Sequence, residues 1–271
     1  MSIETILILF AVGAVAGTLA GMFGVGGGII IVPCLIWVYS FLNINSPYIV
    51  HIAIATSLFT IIFTSISSTY KHSSNGNVIT MAAVIIGLTS SVTVYIFSKI
   101  AVMLPGDTLA KVFSVIILAT GVKLLFDKKK AEDISPDHGK NFNKLYCGII
   151  GFITGTIAAF SGLGGGIFAI PLMHYLLKLN FKKAVGTSTL AVMITAIAGV
   201  ISYILNKPAE MNFGHYTLGM VDVLFAIPIV AGSIPFAQFG VWIHNKTHHF
   251  ILAKLFGLFI LAVSVKILFF S

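Results

Sequence analysis

The residues with the clearest chemical meaning are two glycine runs and two Thr-Ser pairs. Gly24-Val25-Gly26-Gly27-Gly28-Ile29 leads to Pro33, and Gly162-Leu163-Gly164-Gly165-Gly166-Ile167 leads to Pro171. Laid over each other without a gap, Gly13 to Leu35 and Gly151 to Met173 agree at about ten of 23 positions, mostly glycines with the Thr and the Pro. Glycine costs roughly 1 kcal/mol per position in a helix interior. Three in a row, twice, mark a backbone that leaves the helix on purpose. A helix that resumes after each triplet directs unsatisfied N–H groups into the break. Its dipole adds the equivalent of roughly half a positive charge there. Two such ends that converge form a site for an anion without Lys or Arg.

Thr56-Ser57 and Thr187-Ser188 are the matching hydroxyl pairs. Hydroxyls donate to an oxyanion without adding a buried charge. Their competing role is to bond carbonyls of their own helix or to help helices pack. Ser161 is a weaker candidate, because Phe23 stands in the corresponding place. Gly13 and Gly17 fit close helix packing instead.

Other chemistries fit less well. The glycine runs lack the final Gly of a dinucleotide fingerprint and the Lys-Ser/Thr of a P-loop. Cys34 and Cys147 lie in apolar segments with neither metal spacing nor a disulfide framework. An enzyme would need a buried nucleophile–base pair or a metal cluster, and no motif supplies one. His244, His248 and His249 read as a surface loop rather than a metal site. His51 and His174 could carry a coupling proton, with an interfacial role as the competing reading. No carboxylate stands clearly in mid-segment, and Asp222 opens the ninth segment.

The elements that position these residues are set by composition. The chain has 271 residues, of which 58% are hydrophobic and 9% charged. Soluble domains carry about 25% charged residues. Mean hydropathy is +1.04. Apolar runs approach the roughly 20 residues of a membrane helix, and they do not alternate as barrel strands do. The sequence therefore predicts an all-α polytopic membrane protein. The net charge of +8 comes with no Arg. Its lysines lie between apolar runs, where they set orientation and meet anionic lipid rather than nucleic acid. The N-terminus lacks a basic region before its apolar run, so it reads as a first span and not a cleaved signal.

Ten apolar segments follow in order: Ile6 to Gly21, Ile29 to Leu42, Ile49 to Thr69, Val78 to Ile96 and Leu109 to Phe126, then Leu145 to Phe160, Ile167 to Leu177, Ala184 to Leu205, Val221 to Ile243 and Phe250 to Phe270. The ninth reads as broken by Pro228 and Pro235. The second and seventh are too short to span. The layout predicts a first repeat over 1–127, a basic cytoplasmic linker over 128–144 and a second repeat over 145–271. Val122-Lys123-Leu124-Leu125-Phe126 is echoed by Val265-Lys266-Ile267-Leu268-Phe269. Lys123 and Lys266 read as snorkelling near helix ends. The span count lies between eight and ten. Corresponding loops differ in lysine content, which favours inverted repeats with both termini outside.

Inverted repeats with broken helices are a transporter plan, with the site where the breaks meet. Irregular backbone at that depth must line a cavity or be buried. The expected substrate-binding residues are Gly24, Gly26, Gly27, Gly28, Thr56, Ser57, Gly162, Gly164, Gly165, Gly166, Thr187 and Ser188. No cofactor or metal is implied. The expected partners are a small anion, the bilayer and a possible coupling proton. A passive anion channel is the alternative.

The doubled Gly-x-Gly-Gly-Gly followed by Pro, with Ala55 or Gly186 before Thr-Ser and the duplicated layout, resembles the TauE/SafE family of sulfite exporters. The resemblance covers almost the whole chain. It implies a bacterial inner-membrane permease for small sulfur-containing or organic anions such as sulfite, sulfonates or thiosulfate. The family's glycine motif falls on Gly24, Gly26 to Gly28 and Pro33, and on Gly162, Gly164 to Gly166 and Pro171. Its hydroxyl motif falls on Thr56-Ser57 and Thr187-Ser188. Ala55 in place of a second Gly186 makes the two halves unequal.

Overall fold

A computed structural model describes residues 2–44, 46–126, 143–209, 211, 217–246 and 261. Most of the expected linker, the tenth segment with Lys266, the Lys123 side chain, and His248 and His249 lie outside the described residues. Nine helices are described: α1 Ile3–Phe23, α2 Gly28–Phe41, α3 Ile49–Ser74, α4 Thr80–Met103, α5 Gly106–Phe126, α6 Lys144–Ser161, α7 Gly166–Leu176, α8 Phe181–Leu205 and α9 Val223–Lys246. Strands β1 (Thr217–Leu218) and β2 (Val221–Asp222) form a small antiparallel hairpin before α9.

Six of the helices (α1, α3, α4, α6, α8 and α9) are long and apolar enough to cross a membrane. The 24 residues of α4 or α9 reach about 36 Å at 1.5 Å per residue, against about 30 Å of hydrocarbon. The 14 residues of α2 and 11 of α7 reach only about 21 Å and 16 Å. Large apolar side chains stay exposed along the long helices, among them Leu88, Val92, Phe152, Ile227 and Trp242. Such a surface suits lipid rather than water.

Local chemistry sets several boundaries. Ser2 caps α1 by accepting from the Thr5 N–H at 3.3 Å. Asn143 and Asn180 cap α6 and α8 in the same way, accepting at 2.9 and 2.8 Å. Side-chain caps of this kind satisfy donors that the first turn leaves open.

The structure departs from the sequence reading in several places, and α3 runs on past Thr69 through Lys71 to Ser74. Helix α4 runs on through Lys99 to Met103. Lys99 stays exposed, with Nζ 4.7 Å from the centre of the Tyr95 ring. A long amphipathic side chain thus ends no helix. Helix α9 is continuous across Pro228 and Pro235. Packing in a membrane bundle tolerates the ladder bonds that proline removes. The β1–β2 hairpin was not foreseen. Gly219, at φ 62°, supplies the positive φ that a two-residue hairpin loop requires.

The two glycine-containing sets interlock. Helix α1 packs most extensively on α9, and its counterpart α6 packs on α4. Helices α3 and α8 meet each other at the centre. Close approach explains the outlying glycines. A methyl group on Gly13, Gly17 or Gly21 would overlap the backbone of Ile229, Ser233 or Ala237 in α9. Gly151 and Gly155 in α6 meet the α4 residues Ile86, Ser90 and Thr93 in the same manner. Small residues let helices approach where lipid gives no hydrophobic drive to associate.

Hydroxyls join the same helices. Thr64 in α3 donates to Ser233 in α9 at 2.8 Å, and Thr195 in α8 meets Ser90 in α4.

Candidate functional site

Each glycine run builds the same local structure. Gly24 (φ 64°) ends α1, its N–H bonded to the Ala20 carbonyl at 2.8 Å. Gly162 (φ 64°) ends α6, its N–H bonded to the Ala158 carbonyl at 3.0 Å. Gly26 and Gly27 have φ of 82° and 85°; Gly164 and Gly165 have 68° and 77°. These left-handed values are open to glycine at little cost. The next helix then starts at once, α2 at Gly28 and α7 at Gly166.

Residues 24–28 and 162–166 are all buried. The two breaks lie against each other. A methyl group on Gly28 would overlap the Gly162 carbonyl oxygen, and one on Gly166 would overlap the Gly24 carbonyl oxygen. Ile61 of α3 and Val192 of α8 cover both Gly26 and Gly164. Among the described residues, no hydrogen-bond acceptor serves the N–H groups of Gly28, Ile29, Gly166 or Ile167. Two buried helix starts therefore bring open donors to one place. Each carries roughly half a positive charge from its dipole.

Of the four predicted hydroxyls, two reach this crossing and two bond the backbone just before α4 and α9. Ser57 donates to the Gly162 carbonyl at 3.0 Å. Ser188 donates to the Gly24 carbonyl at 2.8 Å and also lies 2.8 Å from the Val185 carbonyl. Each serine thus reaches the break of the other sequence half. Thr187 accepts from the Ile79 N–H at 3.0 Å, just before α4. Thr56 accepts from the Asp222 N–H at 2.9 Å, just before α9. In this conformation all four hydroxyls bond backbone groups, and so they also serve the packing role. Ser161 caps locally, donating to the Ile157 carbonyl at 2.6 Å and accepting from the Leu163 N–H at 3.3 Å.

Sequence reading gave Asp222 no role in the site, and it missed Tyr39 altogether. Both side chains are fully buried. The Tyr39 hydroxyl donates to Asp222 Oδ2 at 3.1 Å, and Asp222 Oδ1 accepts from the Phe225 N–H at 3.1 Å. The signal for Tyr39 in the sequence was faint, since nothing local ties it to a residue 183 positions away.

Histidines hold backbone carbonyls. His51 Nε2–H donates to Ala101 O at 3.1 Å, and His174 Nδ1–H donates to Leu179 O at 2.8 Å. His72 and His244 donate to Gly21 O at 3.0 Å and Met22 O at 2.6 Å, at the end of α1. His244 is therefore buried against α1, not part of a surface loop as its sequence neighbours suggest. Burial between α1 and α9 decides its place. Among the described residues no group of three His, Cys, Asp or Glu side chains could hold a metal ion.

Six long apolar helices, with two buried, glycine-broken helix starts among them, fit a multi-pass membrane protein. The chain belongs to the family described as Sulfite exporter TauE/SafE, whose sequence profile matches residues 9–267. It is 29% identical over 261 residues to a probable membrane transporter protein of Haemophilus influenzae, covering 96% of this chain and 97% of that one. It is 30% identical over 244 residues to a probable membrane transporter protein of Methanocaldococcus jannaschii, covering 88% and 86%. A third relative, the probable membrane transporter protein YunE of Bacillus subtilis, is 26% identical over 255 residues, 89% of each chain. No solved structure matches the chain.

Proposed function

We propose that this protein is a secondary transporter of the cell inner membrane for a small anion, bound where the two glycine breaks cross. The observation that carries the reading is the pair of buried helix starts at Gly28 and Gly166, each with open N–H donors and each packed on the other break. An oxyanion satisfies such donors and gains from both dipoles. A cation would meet the wrong end of each helix.

The family description supports a sulfur-containing oxyanion or organosulfonate, such as sulfite, as the cargo. The reciprocal contacts of the two sequence halves support alternating access between two inverted repeats, 1–127 and 145–271, with the intervening residues as a cytoplasmic linker. Gly24, Gly26, Gly27, Gly28, Gly162, Gly164, Gly165 and Gly166 contribute backbone to the bound anion. Ser57, Ser188, Thr56 and Thr187 turn from their backbone partners toward it as the breaks open.

The test is thermal unfolding of purified protein against sulfite, sulfate, thiosulfate, a sulfonate, acetate and chloride. A ligand at 100 times its dissociation constant stabilises the folded state by about 2.7 kcal/mol. Stabilisation by a sulfur oxyanion supports the reading. Stabilisation only by a cation or a neutral solute overturns it.

A further inference from the structure

We infer that Asp222 is the site of a proton that travels with the anion, a reading that rests on the anion site proposed above. Ionisable side chains buried in a membrane bundle mark ion and proton paths. Asp222 is fully buried, and its backbone is tied to the residue next to Ser57 on α3. Its N–H donates to Thr56 at 2.9 Å, and the adjacent Ser57 bonds the Gly162 carbonyl at 3.0 Å. Its carboxylate is held by the phenol of Tyr39, on the helix that starts at the first glycine break.

The fold itself does not demand an acid here. Ile79 precedes α4 as Asp222 precedes α9, and its N–H makes the matching bond to Thr187 at 3.0 Å. An isoleucine serves the backbone in one half; a carboxylate stands in the other. The difference adds a titratable group to a single side of the site.

The groups around it fit a proton site. From α2 it faces the Tyr39 hydroxyl, from α3 the Thr56 hydroxyl, and from its own helix the Phe225 N–H. From α8, Ile204 packs on the hairpin at Gly219, while the nearby Tyr203 hydroxyl turns away to Ala159 O at 2.7 Å. The Phe225 ring lies 5.2 Å from that of Tyr39. An ionised Asp222 opposes a second negative charge at the crossing. A proton on either carboxylate oxygen removes that opposition, so anion and proton bind together. The step is a simple association: one proton joins the carboxylate and leaves with the anion on the far side.

The experiment uses proteoliposomes that enclose a pH-sensitive dye, with sulfate, thiosulfate or a sulfonate outside. These anions of strong acids carry no proton of their own near neutral pH. Wild-type protein is expected to acidify the lumen as labelled anion enters, with uptake rising as outside pH falls. Asp222→Asn keeps a helix cap and is expected to move anion without acidification and with a flat pH profile. Asp222→Glu restores the coupling. Tyr39→Phe removes a donor to the ionised form and moves the pH profile toward higher pH. Anion uptake by wild type without acidification overturns the proton site and leaves the anion site standing, whether or not any variant folds. Acidification that persists in a folded Asp222→Asn also overturns it. No flux of any of these anions, or of sulfite, by wild type overturns the anion reading and the proton site with it.

Discussion

Ser188 donates its hydroxyl to the carbonyl of Gly24, 164 residues earlier in the chain, at 2.8 Å. The bond ties α8 to the first residue of the first glycine break. Ser57 makes the same bond to Gly162 from α3. Each half thus supplies a side-chain donor to the break of the other.

Replacing these serines tests that relationship. Ser57→Ala and Ser188→Ala each leave a buried carbonyl without a side-chain donor. The expected cost is about 1–3 kcal/mol each. Thermal unfolding should show both variants to be destabilised by similar amounts, with Ser188→Thr closer to wild type.

The first residues of the short helices should reject any side chain. Gly28→Ala and Gly166→Ala place a methyl group on the opposing carbonyl oxygen. Alanine favours a helix, so propensity alone predicts stabilisation. The overlap predicts the reverse, a loss of about 1–3 kcal/mol, and a loss of transport. Stability and flux measured on the same preparation decide between them.

Gly27→Leu and Gly165→Leu act differently. Both positions have positive φ, where a side chain costs roughly 1–2 kcal/mol. Neighbouring backbone at Ala16 and Thr154 adds a clash. Transport should be abolished while the protein still inserts. Normal flux in both variants would contradict a site built on the glycines.

Glycines outside the breaks should matter for assembly. Gly17→Val drives its side chain into Ser233 of α9. The expected outcome is lower thermal stability and less folded protein after extraction. Gly148→Ala is the control, since a methyl group there meets nothing within 4 Å.

Much of this was legible before any coordinates. The glycine breaks fall where the triplets stand, because only glycine takes the positive φ that leaves and re-enters a helix so tightly. The short α2 and α7 followed from the brief apolar runs Ile29 to Leu42 and Ile167 to Leu177. What escaped the sequence was long-range. No local pattern pairs Tyr39 with Asp222, or His244 with Met22. The hairpin before α9 rests on two short strands and Gly219, too brief for a periodic signal. Pro228 and Pro235 looked like breaks because proline disrupts helices in water. In a tightly packed bundle the neighbours hold the helix straight through.

The most direct test of the central claim is counterflow of a labelled sulfur oxyanion in proteoliposomes. Vesicles loaded with unlabelled sulfite or thiosulfate are diluted into a trace of the labelled anion. A carrier with one site between two breaks predicts transient, saturable accumulation of label above its outside concentration. The same result should vanish in Gly27→Leu. Label that merely equilibrates, with no dependence on unlabelled anion inside, would indicate a passive channel and contradict the account.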